Sequence, residues 1–114
     1  MAKTSSVTRP TKKSEYLIEF GSNQAGKGWT DLLATKRNAL VDAWDQLTRD
    51  PLAENPQIHS LKGSLATITR GGVEHKQRQY EMPNGARIWF YVIEGNPGTV
   101  ILDDIYTAHP NQTK

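Results

Sequence analysis

The sequence feature that most constrains the fold is an apolar hairpin pattern from Ala86 to Pro110. Residues 86–94 read ARIWFYVIE, and aromatic and β-branched residues of this kind favour a strand that is buried on most of both faces. Asn96-Pro97-Gly98 then supplies turn residues, after which Thr99 to Tyr106 resumes the apolar pattern. We expect this hairpin to form the centre of a sheet, against which the rest of the chain packs.

Length and composition indicate one folded domain. The chain has 114 residues, which is enough for one modest hydrophobic core. It contains no apolar run near the ~18 residues that a membrane-spanning helix needs, and its first residues lack the apolar segment of a signal peptide. Cysteine is absent, which excludes disulfide bonds and thiolate metal ligands. These features predict a soluble cytoplasmic protein.

Positive charge is distributed unevenly along the chain. Residues 1–14 carry four Lys or Arg residues and no acid, whereas the remaining residues carry ten Lys or Arg against twelve Asp or Glu. This polar composition predicts a disordered basic tail at 1–14, either simply solvated or an electrostatic arm for nucleic acid, and a single domain at 15–114. Within the domain, the segment from His59 to Tyr91 has five Lys or Arg against two Glu. A polyanionic partner is expected to bind there.

The first half of the domain predicts a strand followed by helical structure. Glu15 to Phe20 has the composition of a short strand, and Lys27 to Thr48 carries an amphipathic stripe with helical spacing. Thr35 to Asn38 is polar where the stripe should continue, so two helices joined by a tight turn are an alternative to one. The side chains expected to be buried against the sheet are Trp29, Leu33, Leu40 and Trp44.

The middle of the chain predicts a connection and two further strands. Leu52 to Gly63 has the composition of an irregular connection, Leu65 to Thr69 that of a weak strand, and Gly71-Gly72 that of a turn. Glu74 to Met82 alternates in a way that favours one strand with at least one wet face, and Pro83-Asn84-Gly85 turns it into the central hairpin. The predicted sheet therefore has four strands, at 15–20, 74–82, 86–94 and 99–106.

Four short segments, together with this order of elements, resemble the RelE/ParE toxin superfamily of bacterial toxin–antitoxin modules. They are GWTDL at 28–32, HSLKG at 59–63, ARIWFYV at 86–92 and TAHPNQTK at 107–114. The resemblance implies an α+β fold, the RelE-like microbial ribonuclease fold. In this fold an N-terminal strand and a helical hairpin pack on a mainly antiparallel four-stranded sheet. It also implies a cognate antitoxin that covers the active groove.

Two activities are implied by the resemblance. RelE-like members cut messenger RNA (mRNA) in the ribosomal A site without a metal or cofactor, whereas ParE-like members poison DNA gyrase. The three histidines of this chain, at 59, 75 and 109, lack metal-ligand spacing, which fits metal-free chemistry. Paired arginines and a late histidine favour the ribosome-dependent mRNA endonuclease, because a gyrase poison has no evident need of them. Gyrase inhibition and a non-catalytic antitoxin-binding or regulatory module remain alternatives.

Metal-free RNA cleavage needs a base, an acid and cations for the charge on the phosphorane, and period-2 geometry selects candidates for these roles. Arg78 lies on one face of its strand, and Arg87 and Tyr91 share a face of the next. If the turn at 83–85 brings these two faces to the same side of the sheet, the three side chains converge. The two arginines are then expected to hold the scissile phosphate, with Tyr91 orienting one of them. His109 occupies the place of the late catalytic residue of RelE-like relatives and is expected to exchange the proton. The predicted RNA-binding residues are Lys62, Arg70, His75 and Lys76.

Each of these residues also has a structural interpretation. Arg78 and Arg87 could be ordinary sheet-surface charges, and Tyr91 could belong to the core. His109 could serve a structural purpose or belong to a loose tail. The sequence leaves these alternatives open.

Overall fold

A computed structural model describes residues 4–107, and this part of the chain contains two helices and seven strands. Five strands form one sheet in the order β1-β7-β6-β5-β2, and β3 and β4 form a separate two-stranded ribbon. In the main sheet β1 and β7 are parallel, and the other three pairs are antiparallel. In chain order the elements are β1 Leu17–Phe20, α1 Asn23–Thr35, α2 Arg37–Arg49, β2 Ile58–Ser60, β3 Thr67–Arg70, β4 Val73–Lys76, β5 Arg78–Glu81, β6 Arg87–Ile93 and β7 Thr99–Tyr106.

The α+β class and the mainly antiparallel sheet are therefore confirmed, with five strands in place of the predicted four. The additional strand, β2, lies within the predicted irregular connection and pairs with β5 at the edge of the sheet. Its start is fixed by Asn55, whose side-chain oxygen accepts hydrogen bonds from the backbone amides of Gln57 and Ile58. A strand of three residues is too short to produce a recognisable alternation in the sequence.

The helical segment is divided at Lys36, within the polar interruption noted in the sequence. The backbone of Lys36 has φ −141° and ψ 47°, outside the helical region, so this residue ends α1 and precedes α2. Ser22 caps the start of α1, because its hydroxyl accepts a hydrogen bond from the backbone amide of Ala25. The alternative of two helices joined by a tight turn is confirmed.

Both helices pack on the same face of the main sheet, which we call the helix face. The core at this face contains Leu32, Leu40 and Leu47 from the helices and Phe90 and Leu102 from the central strands. The helix α1 approaches β7 closely at Gly28. A Cβ atom at this position would lie 2.7 Å from the Ile105 side chain, so the contact requires glycine.

The prediction that Trp44 is buried is wrong. Leu40 is 1% exposed, as predicted, and Trp29 and Leu33 pack partly buried against the core, but Trp44 remains 38% exposed. Trp29 makes edge-to-face contacts with Phe20 and Trp44, with ring centroids 6.1 Å apart in each pair. Trp44 thus packs at the rim of the helix face. The helix that carries it also contacts the edge strand β1.

The prediction of one strand from Glu74 to Met82 is also wrong. The segment divides at Gln77 into β4, which pairs with β3 in the ribbon, and β5, which belongs to the main sheet. The backbone amide of Gln77 donates to the carbonyl of Ala66, and its side chain donates to the carbonyl of Leu65. These tertiary hydrogen bonds stabilise the bend between the two strands.

The predicted weak strand and the turn after it are present, with shifted limits. A single 3-10 turn occupies Gly63–Leu65, and β3 follows at Thr67–Arg70. Gly71 and Gly72 then form the tip of the ribbon with φ values of +59° and +79°, a region that glycine adopts without steric cost.

Residues 4–14 are exposed and contain neither helix nor strand. Their one ion pair joins Arg9 to the carboxylate of Glu15, at 3.0 Å. The disorder of the basic tail at 1–14 stays a prediction. In the part of the chain that the structure describes, neither helix has the length and apolar character needed to cross a membrane.

Candidate functional site

The face of the main sheet opposite the helices, which we call the far face, carries aromatic and polar side chains. On the central strand β6, the alternate residues Arg87, Trp89 and Tyr91 point to this face. Trp89 and Tyr91 are nevertheless buried. Because the helices lie on the other side, their cover comes from elements that extend over the far face.

The β3–β4 ribbon provides part of that cover. His75 of β4 stacks on the ring of Tyr91, with centroids 4.3 Å apart and an angle of 22° between the ring planes. Arg70, the last residue of β3, donates two hydrogen bonds to the carboxylate of Asp103, at 3.2 and 3.0 Å. The ribbon therefore holds a histidine and an arginine against the far face.

A bulge in β7 brings two consecutive carboxylates to the same face. Phe90 pairs with Leu102 and Trp89 pairs with Asp104, so Asp103 is an extra residue on β7. Bulges of this type redirect side chains and are frequent beside functional sites. Asp103 is buried beneath Arg70 of the ribbon, and Asp104 lies opposite Trp89. In a regular strand these two carboxylates would point to opposite faces.

Asp104 has a different environment from Asp103. Partial burial raises the pKa of the Asp104 carboxyl by disfavouring its charged form, and the negative charge of Asp103 adds to this effect. Arg70 opposes the rise in pKa, but its hydrogen bonds go to Asp103. Among residues 4–107 no group makes a hydrogen bond to the Asp104 carboxylate. Asp104 is thus a carboxylate with a raised pKa and with no hydrogen-bond donor in the described part of the chain.

Arg87 and Tyr106 also lie on the far face, near the end of β7 that carries Asp104. They are paired across the β6–β7 ladder, and the ring of Tyr106 makes an edge contact with Trp89 at 4.9 Å between centroids. Arg87 is 19% exposed and lies 3.7 Å from the Glu81 carboxylate. Its Nε atom is buried and has no hydrogen-bond partner among the described residues. Arg87 is therefore a largely shielded cation whose buried Nε is unpaired among the described residues.

Tyr106 is held in its protonated form at neutral pH. Burial raises the pKa of its phenol, and the negative charges of Asp104 and Asp103 raise it further. Burial also raises the pKa of Tyr91, which His75 covers. Both tyrosines therefore contribute neutral rings and hydroxyl groups to the far face.

Arg78 lies on the helix face, so its predicted convergence with Arg87 is wrong. In the β5–β6 register Arg78 pairs with Phe90, a core residue of the helix face. Its guanidinium donates hydrogen bonds to the carbonyls of Pro51 and Ala53 and to the Glu54 carboxylate. Arg78 is 6% exposed. These contacts tie the connection after α2 to β5.

The other predicted site residues are divided between the far face, the surface and the undescribed end of the chain. Arg87, Tyr91, Arg70 and His75 share the far face, where His75 stacks on Tyr91, Arg70 binds Asp103, and Arg87 lies beside Glu81 and opposite Tyr106. Lys62 and Lys76 are exposed, the first just before the 3-10 turn and the second at the end of β4. His109 lies outside the described residues, and its role stays a prediction.

Asp103 and Asp104 were not selected from the sequence, although a signal was present. Two acids interrupt the apolar run from Val100 to Ile105, and two consecutive polar residues break the alternation of a regular strand. Such a break in a strong strand pattern indicates a bulge. Tyr106 follows at the position that faces Arg87.

No protein-family model, curated protein or solved structure matches this chain. Residues 4–107 contain no group of three or more His, Asp or Glu that could hold a metal ion. The chemistry of the far face is therefore argued from its own side chains. Aromatic rings beside cations suit the bases and phosphates of single-stranded nucleic acid, and a carboxylate of raised pKa can accept a proton.

Proposed function

We propose that this chain is a RelE/ParE-like toxin that cleaves mRNA on the ribosome, with the far face as its RNA-binding surface. The observation that carries the proposal is the grouping of Arg70, His75, Arg87, Trp89 and Tyr91 on one sheet face that the helices leave free. Cations can bind the phosphate backbone, and a base that stacks on the partly exposed ring of His75 would add ~1–3 kcal/mol.

The fold is consistent with this proposal. The resemblance implies a helical hairpin on a mainly antiparallel sheet, and α1 and α2 pack in this way on the main sheet. The strand β2 and the β3–β4 ribbon are additions to the implied four-stranded arrangement. The ribbon supports the proposal independently, because it adds Arg70 and His75 to the far face.

Arg87 is the residue that we assign to the scissile phosphate. Its buried Nε has no partner among residues 4–107, and the rest of its guanidinium lies beside Gln79 and Glu81. A preorganised cation stabilises the additional negative charge of the phosphorane without reorganisation during the reaction. His109 remains the residue that is predicted to exchange the proton.

Acidic residues beside the arginines of the far face should weaken the binding of free RNA, which favours a substrate presented by the ribosome. Arg70 is paired with Asp103, and Arg87 lies close to Glu81, so the cationic residues of the far face are partly neutralised. Free RNA is therefore expected to bind weakly, and delivery of the mRNA in the ribosomal A site would compensate. The proposal also includes a cytoplasmic location and a cognate antitoxin that covers the far face.

The test is cleavage of mRNA on programmed ribosomes by purified protein. We expect the wild type to cut, and Arg87→Gln to cut about 10²–10³-fold more slowly, the usual effect of losing one donor to a developing charge. Arg37→Gln is the matched control, because Arg37 is an exposed arginine on α2, remote from the far face. It should cut like the wild type.

Supercoiling by DNA gyrase, measured in parallel, separates the alternatives. A wild type that leaves mRNA intact but traps gyrase on DNA would identify a gyrase inhibitor. A protein inactive in both assays would support a non-catalytic antitoxin-binding or regulatory module. Equal mRNA cleavage by wild type and Arg87→Gln would show that Arg87 has no part in the mechanism.

A further inference from the structure

The bulge in β7 has a chemical consequence for the far face. It places Asp103 and Asp104 side by side, and Arg70 donates two hydrogen bonds to Asp103 alone. Asp103 therefore serves to anchor the ribbon, whereas the Asp104 carboxylate accepts no hydrogen bond from residues 4–107. Asp104 also lies opposite buried Trp89 and two positions before Tyr106, whose half-buried ring makes an edge contact with Trp89.

We propose that Asp104 is the general base of the site and accepts the proton of the attacking 2′-hydroxyl. This inference rests on the proposed RNA cleavage and assigns a catalytic role to a residue that the sequence did not select. The carboxylate shares its face with Arg87, on the neighbouring strand, which is assigned to the phosphate. Base and cation thus lie on adjacent strands, an arrangement suited to a hydroxyl and the phosphate it attacks.

The reaction balances without a metal or an added reactant. The 2′-oxygen forms a bond to phosphorus while its proton passes to a carboxylate oxygen of Asp104. The bond between phosphorus and the 5′-oxygen then breaks, and the leaving oxygen takes a proton from the solvent, to which Asp104 later returns its own. The products are a 2′,3′-cyclic phosphate and a 5′-hydroxyl end.

The environment of Asp104 suits a base. Burial and Asp103 raise its pKa, and a more basic carboxylate accepts a proton more readily. The charged and titratable groups on the same face of the sheet are Asp103 and Tyr106 on β7, Arg87 on β6, Arg70 on β3 and His75 on β4. Of these, Asp103 raises the Asp104 pKa and Arg70 lowers it.

The experiment measures single-turnover mRNA cleavage on programmed ribosomes from acidic to neutral pH. In the wild type, the rate should fall as the pH drops through the Asp104 pKa, because the protonated carboxyl cannot act as a base. Asp104→Asn should cleave ~10²–10⁴-fold more slowly and should lose this acidic limb. Asp104→Glu keeps a carboxylate and should recover part of the rate together with the limb.

Asp31→Asn is the control, because Asp31 is an exposed carboxylate on α1 at the opposite side of the sheet. It should leave the rate and the pH profile unchanged. Thermal denaturation should show that Asp104→Asn is folded, since a neutral amide avoids the desolvation of a carboxylate.

Three results would overturn the inference. If Asp104→Asn cleaves like the wild type with the same pH profile, Asp104 is not the base, although the proposed function stands. If the wild type does not cleave mRNA, both proposals fail together. If neither Asp104→Asn nor Asp104→Glu folds, the carboxylate is required for structure, and its assignment to catalysis is withdrawn.

Discussion

Replacing Arg78 by methionine tests whether the helix face and the far face have separate tasks. Methionine keeps an unbranched apolar body but removes all the hydrogen-bond donors. In the folded protein, the Arg78 guanidinium binds the carbonyls of Pro51 and Ala53 and the carboxylate of Glu54. The substitution should therefore release the connection between α2 and β2 from the sheet.

The expected loss is about 3 kcal/mol in the free energy of unfolding. A buried polar group left without a partner costs ~1–3 kcal/mol, and two carbonyls lose a charged donor. The carbonyl of buried Pro51 should contribute most, whereas Ala53 is half-buried and more easily hydrated. Glu54 is 57% exposed, so water replaces most of its ion pair. For a domain of this size the melting temperature should fall by roughly 12–20 °C.

Urea and thermal denaturation, followed by tryptophan fluorescence, would measure this loss. Arg37→Met is the matched control, and it should remain within about 0.5 kcal/mol of the wild type because Arg37 is exposed. Arg78→Lys should be intermediate in stability, since lysine keeps the charge but not the planar fork of donors. Its folded fraction should cleave mRNA like the wild type. A loss below about 1 kcal/mol in Arg78→Met, combined with loss of mRNA cleavage, would refute the structural role and return Arg78 to the catalytic group.

Two further predictions concern α1 and the start of β1. Gly28→Ala should lose ~1–3 kcal/mol in chemical denaturation, because its Cβ would lie 2.7 Å from Ile105, whereas Gly26→Ala meets open space and should gain ~0.5–1 kcal/mol. Equal effects at the two glycines would show that α1 can shift away from β7. The hydrogen bond from Arg9 lowers the pKa of Glu15, so its stabilisation is present above the unfolded-state pKa and is lost as the pH falls through the folded-state pKa. Wild type and Glu15→Gln should therefore differ in melting temperature at neutral pH and converge in acid; no difference at neutral pH would contradict the pairing.

The strands that the sequence predicted best are those with the densest apolar pattern. The strand β7 spans Thr99–Tyr106, as predicted, and β6 lies within the predicted 86–94. Both are central in the sheet, where local preference and burial favour the same structure. The break at Gln77 was not predictable in this way. The polar alternation continues through it, and the hydrogen bonds to Leu65 and Ala66 that stabilise the bend come from outside the segment.

The sequence predicted which residues of a single strand share a face, but not how neighbouring strands are paired. On β6 alone, period-2 geometry placed Arg87 and Tyr91 on one face, and the structure agrees. The relation of Arg78 to this pair depends on the turn at 83–85, because a shift of one residue exchanges the faces of a whole strand. The observed register joins Arg78 to Phe90. Sequence composition does not distinguish the two registers when the strand carries polar residues on both faces.

The two arginines show why charge type alone does not identify a functional residue. Arg78 and Arg87 lie on neighbouring strands, and both are largely shielded from water. At Arg78, four hydrogen bonds to protein oxygens use the guanidinium, so binding a phosphate there would require breaking contacts that support the fold. At Arg87, the partners are longer, at 3.4 Å to Gln79 and 3.7 Å to Glu81, and Nε has no partner among residues 4–107. A phosphate that binds Arg87 would therefore replace only long, weak contacts. This is expected of an arginine that binds substrate rather than one that stabilises the fold.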